Sequence, residues 1–278
     1  MNAPVLSLIL AASVFGLSGV FAKLLDMPAT AIAGFRFAVP TVLLLLVYPD
    51  IRRFIQTGVN PKLLAASCCS AFRVGLWVLA FLYAPISKVV VILFTWPIFF
   101  ALLANWILGE TLSLKGWLLL LCALCGVIVF CLDPTGSDQE NYYLGMALMF
   151  VVAIINAAVL IVFKKLSGQH SSKEILLYDN VVGALIYLPF ILLVLPQLDA
   201  TDIGLGILYG AVIGFLAYSL LFYALPKVKA SVWGVISYLE VVTASIFGVL
   251  IFGELITWQM LLGAALILIP VMMIRFVK

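Results

Sequence analysis

Ten segments of about 20 mostly apolar residues follow one another along the chain, and the polar stretches between them are short. A helix needs about 20 such residues to cross the hydrocarbon core of a bilayer. Of the 278 residues 66% are hydrophobic and 10% charged, whereas a soluble domain is about half apolar and a quarter charged. The sequence therefore predicts an all-α membrane protein with ten transmembrane helices. These are residues 4–22, 29–48, 63–83, 86–108, 115–132, 143–163, 174–195, 203–224, 230–252 and 257–276.

Lysine and arginine are divided unevenly between the loops on the two sides of the predicted bundle. If the N-terminus is cytoplasmic, the inner segments carry eleven of these residues and the outer segments two. Cytoplasmic loops are normally the ones enriched in Lys and Arg. We therefore predict a multi-pass protein with both termini in the cytoplasm, and the compact loops suggest a bacterial inner membrane. The inner residues are Arg52, Arg53, Lys62, Lys115, Lys164, Lys165, Lys173, Lys227, Lys229, Arg275 and Lys278, and the outer ones are Lys23 and Lys88.

The two halves of the chain resemble each other, which predicts domains at 1–135 and 142–278. Two dipeptides recur at matching places: Tyr83-Ala84 with Tyr223-Ala224, and Gly109-Glu110 with Gly253-Glu254. Each half has five predicted helices, and an odd number inverts the second half relative to the first. Inverted repeats are typical of secondary transporters, which hold substrate near the midplane between the repeats.

Three stretches carry a resemblance to a known family: "TWPIFFALLANWILGE" (Thr95–Glu110), "SYLEVVTASIFGVLIFGE" (Ser237–Glu254) and the Arg36-Phe37 pair. The chain resembles the ten-span EamA branch of the drug/metabolite transporter superfamily over nearly its whole length. The resemblance implies transport of small metabolites such as amino acids, nucleobases or cofactors. One departure is that Val241 follows Glu240 where the family usually has proline, which predicts a weaker kink there.

Five ionisable residues lie inside predicted helices or at their edges: Arg36, Arg73, Lys88, Asp179 and Glu240. Lys88 begins its helix and is interpreted as reaching the interface. For the other four, a centred Arg or Asp costs about 2.5–3.5 kcal/mol on insertion scales. We expect them to face an internal cavity or to pair. Arg36 lies in the outer third of its helix and Asp179 in the inner third, so a direct pair between these two is not expected. Arg73 and Glu240 lie at mid-span and could pair across the repeats, either as a structural salt bridge or within a binding site.

Mid-span aromatic residues accompany these charges, and such a cavity suits a zwitterionic or weakly anionic organic solute. A bare metal ion would require clustered carboxylates or carbonyls, so no metal site and no cofactor are predicted. The five cysteines lie in apolar runs and are interpreted as structural. The candidate substrate-binding residues are Arg36, Arg73, Trp77, Tyr83, Trp96, Asp179, Asn180, Tyr218, Tyr238 and Glu240.

Two further features have structural interpretations. Gly206, Gly210 and Gly214 recur every four residues, and such a face allows close helix approach, either for static packing or as a sliding surface. Glu110 and Glu254 end their helices and are expected to cap or pair rather than to bind substrate.

The sequence favours a secondary transporter that works by alternating access over an enzyme. "GLSG" at Gly16–Gly19 mimics an intramembrane serine protease motif, but His170, the only histidine, lies in a polar loop. A channel or a ligand-sensing membrane protein is the alternative. The expected partners are a small-molecule substrate and lipid, with protons as an open option; a net charge of +3 is too weak to suggest nucleic acid. A monomer or a weak homodimer is expected.

Overall fold

The computed structural model describes residues 2–48, 60–83, 86–130, 142–253 and 255–273. Within these ranges the chain is helical and contains no strand, which confirms the all-α prediction. The α-helices are α1 (Ala3–Phe15), α2 (Ser18–Leu24), α3 (Ala29–Val47), α4 (Pro61–Tyr83), α5 (Ile86–Leu93), α6 (Trp96–Leu108), α7 (Leu114–Phe130), α8 (Tyr142–Leu166), α9 (Ser172–Val194), α10 (Ala200–Tyr209), α11 (Tyr218–Ala224), α12 (Ala230–Ser237), α13 (Leu239–Phe252) and α14 (Trp258–Met273). A 3₁₀ turn covers Leu195–Gln197, and a π-helix, Gly210–Ala217, joins α10 to α11.

Eight helical segments in the described ranges are long and apolar enough to cross a membrane. Two further apolar helices, Leu114–Val129 and Trp258–Met273, are shorter. Many large apolar side chains on these helices are exposed, including Leu46, Leu185 and Leu250. Such side chains fit a bilayer, where the helix satisfies the backbone hydrogen bonds internally and lipid covers the outer face.

The chain forms two compact units, and each draws on both halves of the sequence. Unit 1 comprises Met1–Val74 and Val162–Lys227. In it α3 packs along α9 and against the π-helix, and α1 packs against α11. Small residues allow these approaches, since Gly183 lies against the Phe37 ring and Gly34 against Ile191.

Unit 2 comprises Gly75–Ile161 and Val228–Lys278. Its main helix pair is α7 with α14, and α12 packs against α6 and α7. A β-carbon added at Gly126 would lie 2.8 Å from the Gly263 carbonyl oxygen, so the α7–α14 contact requires glycine at this point. The core of this unit is apolar and includes Phe94, Leu120 and Tyr238.

Helix ends are fixed by short-range polar contacts that the sequence encodes. The Asn60 carboxamide oxygen accepts from the Lys62 and Leu63 backbone N–H groups, at 3.0 and 3.3 Å, and so caps α4. Gly109 and Gly253 end α6 and α13 in the left-handed conformation, with φ of 67° and 66°, which glycine adopts without strain. These two glycines belong to the recurring Gly-Glu dipeptides.

The prediction that Glu110 would cap or pair at a helix end is confirmed. Its Oε2 accepts a 2.7 Å hydrogen bond from the Ala230 N–H, at the start of α12. A carboxylate is favourable there because the first N–H groups of a helix lack intrahelical partners. Glu254, the corresponding residue in the second half, lies outside the described residues.

Candidate functional site

A buried ion pair lies inside unit 1. The Arg36 Nη2 and Asp179 Oδ2 atoms are 3.6 Å apart, and only 7% and 2% of the two side chains are exposed. Arg36 comes from α3 and Asp179 from α9. A charge at this depth is normally paired, because an isolated ion is strongly disfavoured in an apolar surrounding.

The expectation that these two residues would not pair directly was wrong, and the packing register explains why. Phe37 lies against Gly183 and Gly34 against Ile191, so α3 and α9 pack antiparallel. In this register Asp179 is offset from Arg36 by about one and a half helical turns, or roughly 8 Å. The long arginine side chain spans that offset. An estimate from the depths of the two residues in their helices does not take the length of this side chain into account.

Two aromatic rings flank the Arg36 guanidinium. Its Cζ lies 4.0 Å from the Phe37 ring centroid and 4.2 Å from that of Tyr218. Tyr218 is held edge-on against Phe15, with ring centroids 5.0 Å apart. Both distances are within the range of cation–π attraction, so the rings hold the guanidinium in place without neutralising its charge.

Arg73 brings a second positive charge to the same place. The charged or polar groups near its guanidinium include Tyr218, Arg36 and Asp179, and the Tyr218 hydroxyl is within hydrogen-bonding reach of both arginines. We call these four residues the Arg36 cluster. Two guanidiniums against one carboxylate leave the cluster with one excess positive charge.

Several buried polar atoms of the cluster have no hydrogen-bond partner among the described residues. They are Nη1 of Arg36, Nε of Arg73 and Oδ1 of Asp179. Most buried polar atoms in proteins are hydrogen-bonded, so each exception needs an explanation. Here donors and an acceptor remain available side by side, which suits a ligand that carries both an acidic and a basic group.

The backbone around Arg36 is also unusual. Pro40, four residues later in α3, has no N–H to donate to the Arg36 carbonyl. The π-helix packs at this point, with Gly214 directly against the Arg36 carbonyl oxygen and Gly210 against that of Phe35. The glycine face predicted from the sequence therefore brings the segment that leads into Tyr218 close to α3. Single π-turns occur frequently at functional sites.

Asn180 and Tyr187 lie near the cluster but have structural contacts of their own. The Asn180 amide donates a 2.7 Å hydrogen bond to the Leu176 carbonyl of its own helix. The Tyr187 hydroxyl donates to the Ala71 carbonyl at 2.9 Å, and its ring stacks on Phe37 at a centroid distance of 5.8 Å. Sequence reasoning missed Tyr187 and Phe37, because an aromatic residue in an apolar run gives no signal of its role.

The remaining candidate residues belong to unit 2. Trp96 is buried beside Phe100, which also contacts Trp233; both pairs of centroids are 5.8 Å apart. Trp77 packs against the apolar cluster that contains Met149. Tyr83 is half-buried at the end of α4. Trp77 and Trp96 thus have apolar or aromatic neighbours.

Tyr238 lies at a break between two helices, and Glu240 lies just after it. α12 ends at Ser237 and α13 begins at Leu239, so the segment 230–252 is interrupted at Tyr238 although no proline follows Glu240. The matching segment 86–108 is interrupted before Trp96 in the same way. Tyr238 is fully buried, and its hydroxyl has no hydrogen-bond partner among the described residues. Glu240 is half-buried in the first turn of α13.

Comparison with known proteins gives consistent findings. The EamA-like transporter family matches residues 2–132 and 143–276. The uncharacterized transporter YetK of Bacillus subtilis is 26% identical over 86% of this chain and 77% of its own length. An S-adenosylmethionine uptake transporter of Rickettsia felis is 27% identical over 85% and 79%, and the pseudopaline exporter CntI of Pseudomonas aeruginosa is 24% identical over 87% and 84%. One solved crystal structure has a TM-score of 0.87 at 13% identity, over 98% of this chain and 96% of that one, which shows the fold alone.

Proposed function

Because this chain belongs to the EamA-like transporter family, we propose that it is a secondary transporter that moves a small polar metabolite across a bacterial inner membrane by alternating access. The substrate is an amino acid or a similar zwitterionic or anionic organic solute. The relatives support a transport role, and their names include both an uptake transporter and an exporter. The names therefore do not indicate a direction for this chain.

The observation that carries the proposal is the Arg36 cluster. It places an excess positive charge, an acidic oxygen and an aromatic wall in the interior of a membrane protein. Intramembrane charges mark substrate or ion pathways by default. Arg36 supplies a planar fork that matches a carboxylate or phosphate, and the free Asp179 oxygen offers a place for an ammonium group.

We assign direct substrate contact to Arg36, Arg73, Asp179 and Tyr218. The candidates Trp77, Tyr83, Trp96, Tyr238 and Glu240 stay predicted substrate-binding residues. The Asn180 side chain is fixed by a hydrogen bond to its own helix. We therefore propose an indirect role for Asn180, which lies next to Asp179 in the chain.

The architecture proposed is ten transmembrane helices in two inverted five-helix domains, 1–135 and 142–278. Three observations support it: the family matches in two parts, the Gly-Glu dipeptides end helices in the same left-handed conformation, and the fourth helix of each half is broken. Broken helices near the midplane are found in transporters built from inverted repeats.

The Lys and Arg distribution further supports cytoplasmic termini. A single cysteine introduced at position 138, in an otherwise cysteine-free chain, is expected to react with an impermeant reagent added outside the cell. Reaction only after the reagent is given access to the cytoplasmic side would show that the orientation is the opposite one.

Counterflow in proteoliposomes tests the transport proposal. A metabolite library screened by thermal shift first supplies a binding compound, since a ligand of the folded state raises its apparent stability. Vesicles loaded with excess unlabelled compound are then expected to take up the labelled compound transiently above equilibrium, and uptake should saturate. Uptake that rises linearly without counterflow would indicate a channel, and binding without any flux would indicate a sensor.

A further inference from the structure

The two acidic residues inside the membrane-spanning helices have opposite surroundings. Asp179 lies 3.6 Å from one guanidinium and interacts with a second. Glu240 is half-buried and has no ion-pair partner among the residues that the structure describes. Asp179 thus lies beside a cation, whereas no described cation pairs with Glu240.

The described side chains of α12 and α14, which pack against α13, include no cation. α12 and α14 contain no ionisable side chain, and Glu240 is the only one in α13 itself. Other titratable side chains described in unit 2 include Tyr238 and, on α7, Cys122, Cys125 and the exposed Lys115. The Lys88 side chain on α5 lies outside the described set.

An acid in this position must be neutralised in another way. A carboxylate that is partly withdrawn from water and has no cation beside it is disfavoured, and binding a proton removes that penalty. The ionised form is nevertheless accessible here, because Glu240 lies in the first turn of the 14-residue helix α13, next to backbone N–H groups that favour a negative charge. Both protonation states therefore have a physical basis at one site.

We propose that Glu240 is the proton-binding site of this transporter. The carboxylate takes a proton from water on one side of the membrane, becomes neutral, and releases the proton to water on the other side after the conformational change. No other group is oxidised, reduced or transferred. Asp179, paired with Arg36, does not take part in this step. The proposal rests on the transport function proposed above, because a proton carried by Glu240 drives the substrate only if the chain is a transporter.

Infrared difference spectroscopy of the purified protein in lipid, titrated with acid, tests the site without any substrate. Because all 12 Asp and Glu residues give a carbonyl band when protonated, the wild type is compared with each variant at the same pH. The wild type and Asp179→Asn are expected to show a carbonyl component that Glu240→Gln lacks. Equal spectra for the wild type and Glu240→Gln, or a component lost only in Asp179→Asn, would overturn the assignment. Monodispersity and helix content identify any variant that has failed to fold, and Glu240→Asp, which keeps the acid, should retain a band.

Transport provides the second readout, with the compound identified by the thermal-shift screen as probe. Glu240→Gln fixes the site in a neutral form, so counterflow should persist while accumulation driven by a pH gradient is lost. Accumulation that survives in Glu240→Gln would contradict proton coupling through this residue. Absence of flux in the wild type would contradict the proposed function but would leave the infrared result standing, so the two failures are distinguishable.

A structural role for Glu240 predicts something different. If it serves only to neutralise Arg73, Glu240→Gln should lose both counterflow and folding, and the additional change Arg73→Leu should restore both. That restoration would overturn the proton-binding assignment.

Discussion

Asp179→Asn is expected to lower the free energy of unfolding by about 3–5 kcal/mol, the range found when one partner of a buried pair is removed. The substitution keeps the shape of the side chain but leaves Arg36 and Arg73 together without an anion. Arg36→Gln should cost less, because Arg73 remains to balance Asp179. Thermal or denaturant unfolding of both variants in one detergent measures the difference.

The double variant Arg36→Gln/Asp179→Asn is the control for this prediction. It restores the net charge of the wild-type cluster, one positive charge, which Arg73 then carries alone. Its stability should therefore exceed that of Asp179→Asn. Coupling of this kind is expected for residues in one charged network. An Arg36→Gln variant that is less stable than Asp179→Asn would show that Arg73 does not share the Asp179 carboxylate.

Gly210→Ala is expected to destabilise the protein by about 1–3 kcal/mol, the usual penalty for overpacking. An added β-carbon would lie 2.5 Å from the Phe35 carbonyl oxygen and 2.6 Å from the Val39 β-carbon. The first of these is a backbone atom and cannot move aside without shifting α3. Because α3 carries Arg36, substrate binding should weaken together with stability.

Gly204 offers a matched control in the helix that leads into the same π-helix. Nothing lies within 4 Å of a β-carbon added there. Gly204→Ala should therefore be neutral or stabilise by up to about 1 kcal/mol, the difference in helix propensity. Equal unfolding midpoints for Gly204→Ala and Gly210→Ala would show that the close approach of the π-helix to α3 is not important for stability.

Much of this organisation is readable from the sequence, since it depends on local patterns. Apolar runs predict the helices, the four-residue spacing of Gly206, Gly210 and Gly214 predicts a close packing face, and Glu110 after a helix-ending glycine predicts a cap. Charges within apolar runs identify Arg36, Arg73 and Asp179 as residues that must face a cavity or pair, although not as members of one cluster. The helices, the glycine face and the cap depend on residues near one another in the chain. The buried charges are recognisable because placing a charge in an apolar helix carries a free energy penalty that some partner must offset.

The pairing of Arg36 with Asp179 could not be predicted, because it depends on the register between α3 and α9. That register is set by how Phe37 fits against Gly183, a contact between residues far apart in the sequence. The π-helix before Tyr218 gives no local signal either. Pro40 predicts that the Arg36 carbonyl lacks its usual helical hydrogen bond. Only the tertiary structure shows that the π-helix packs against this carbonyl.

The direct test of the central claim, that the Arg36 cluster binds the acidic group of the substrate, compares an acid with its amide. Affinities of the substrate and of the amide of its acidic group are measured for the wild type and for Arg36→Gln, which keeps Asp179 and the balancing charge of Arg73. Loss of a charge-assisted hydrogen bond, worth about 1.5–3 kcal/mol, should weaken acid binding by about 10- to 100-fold and amide binding much less. Equal losses for both compounds, or unchanged affinity for the acid, would contradict the claim and leave the cluster with a structural role.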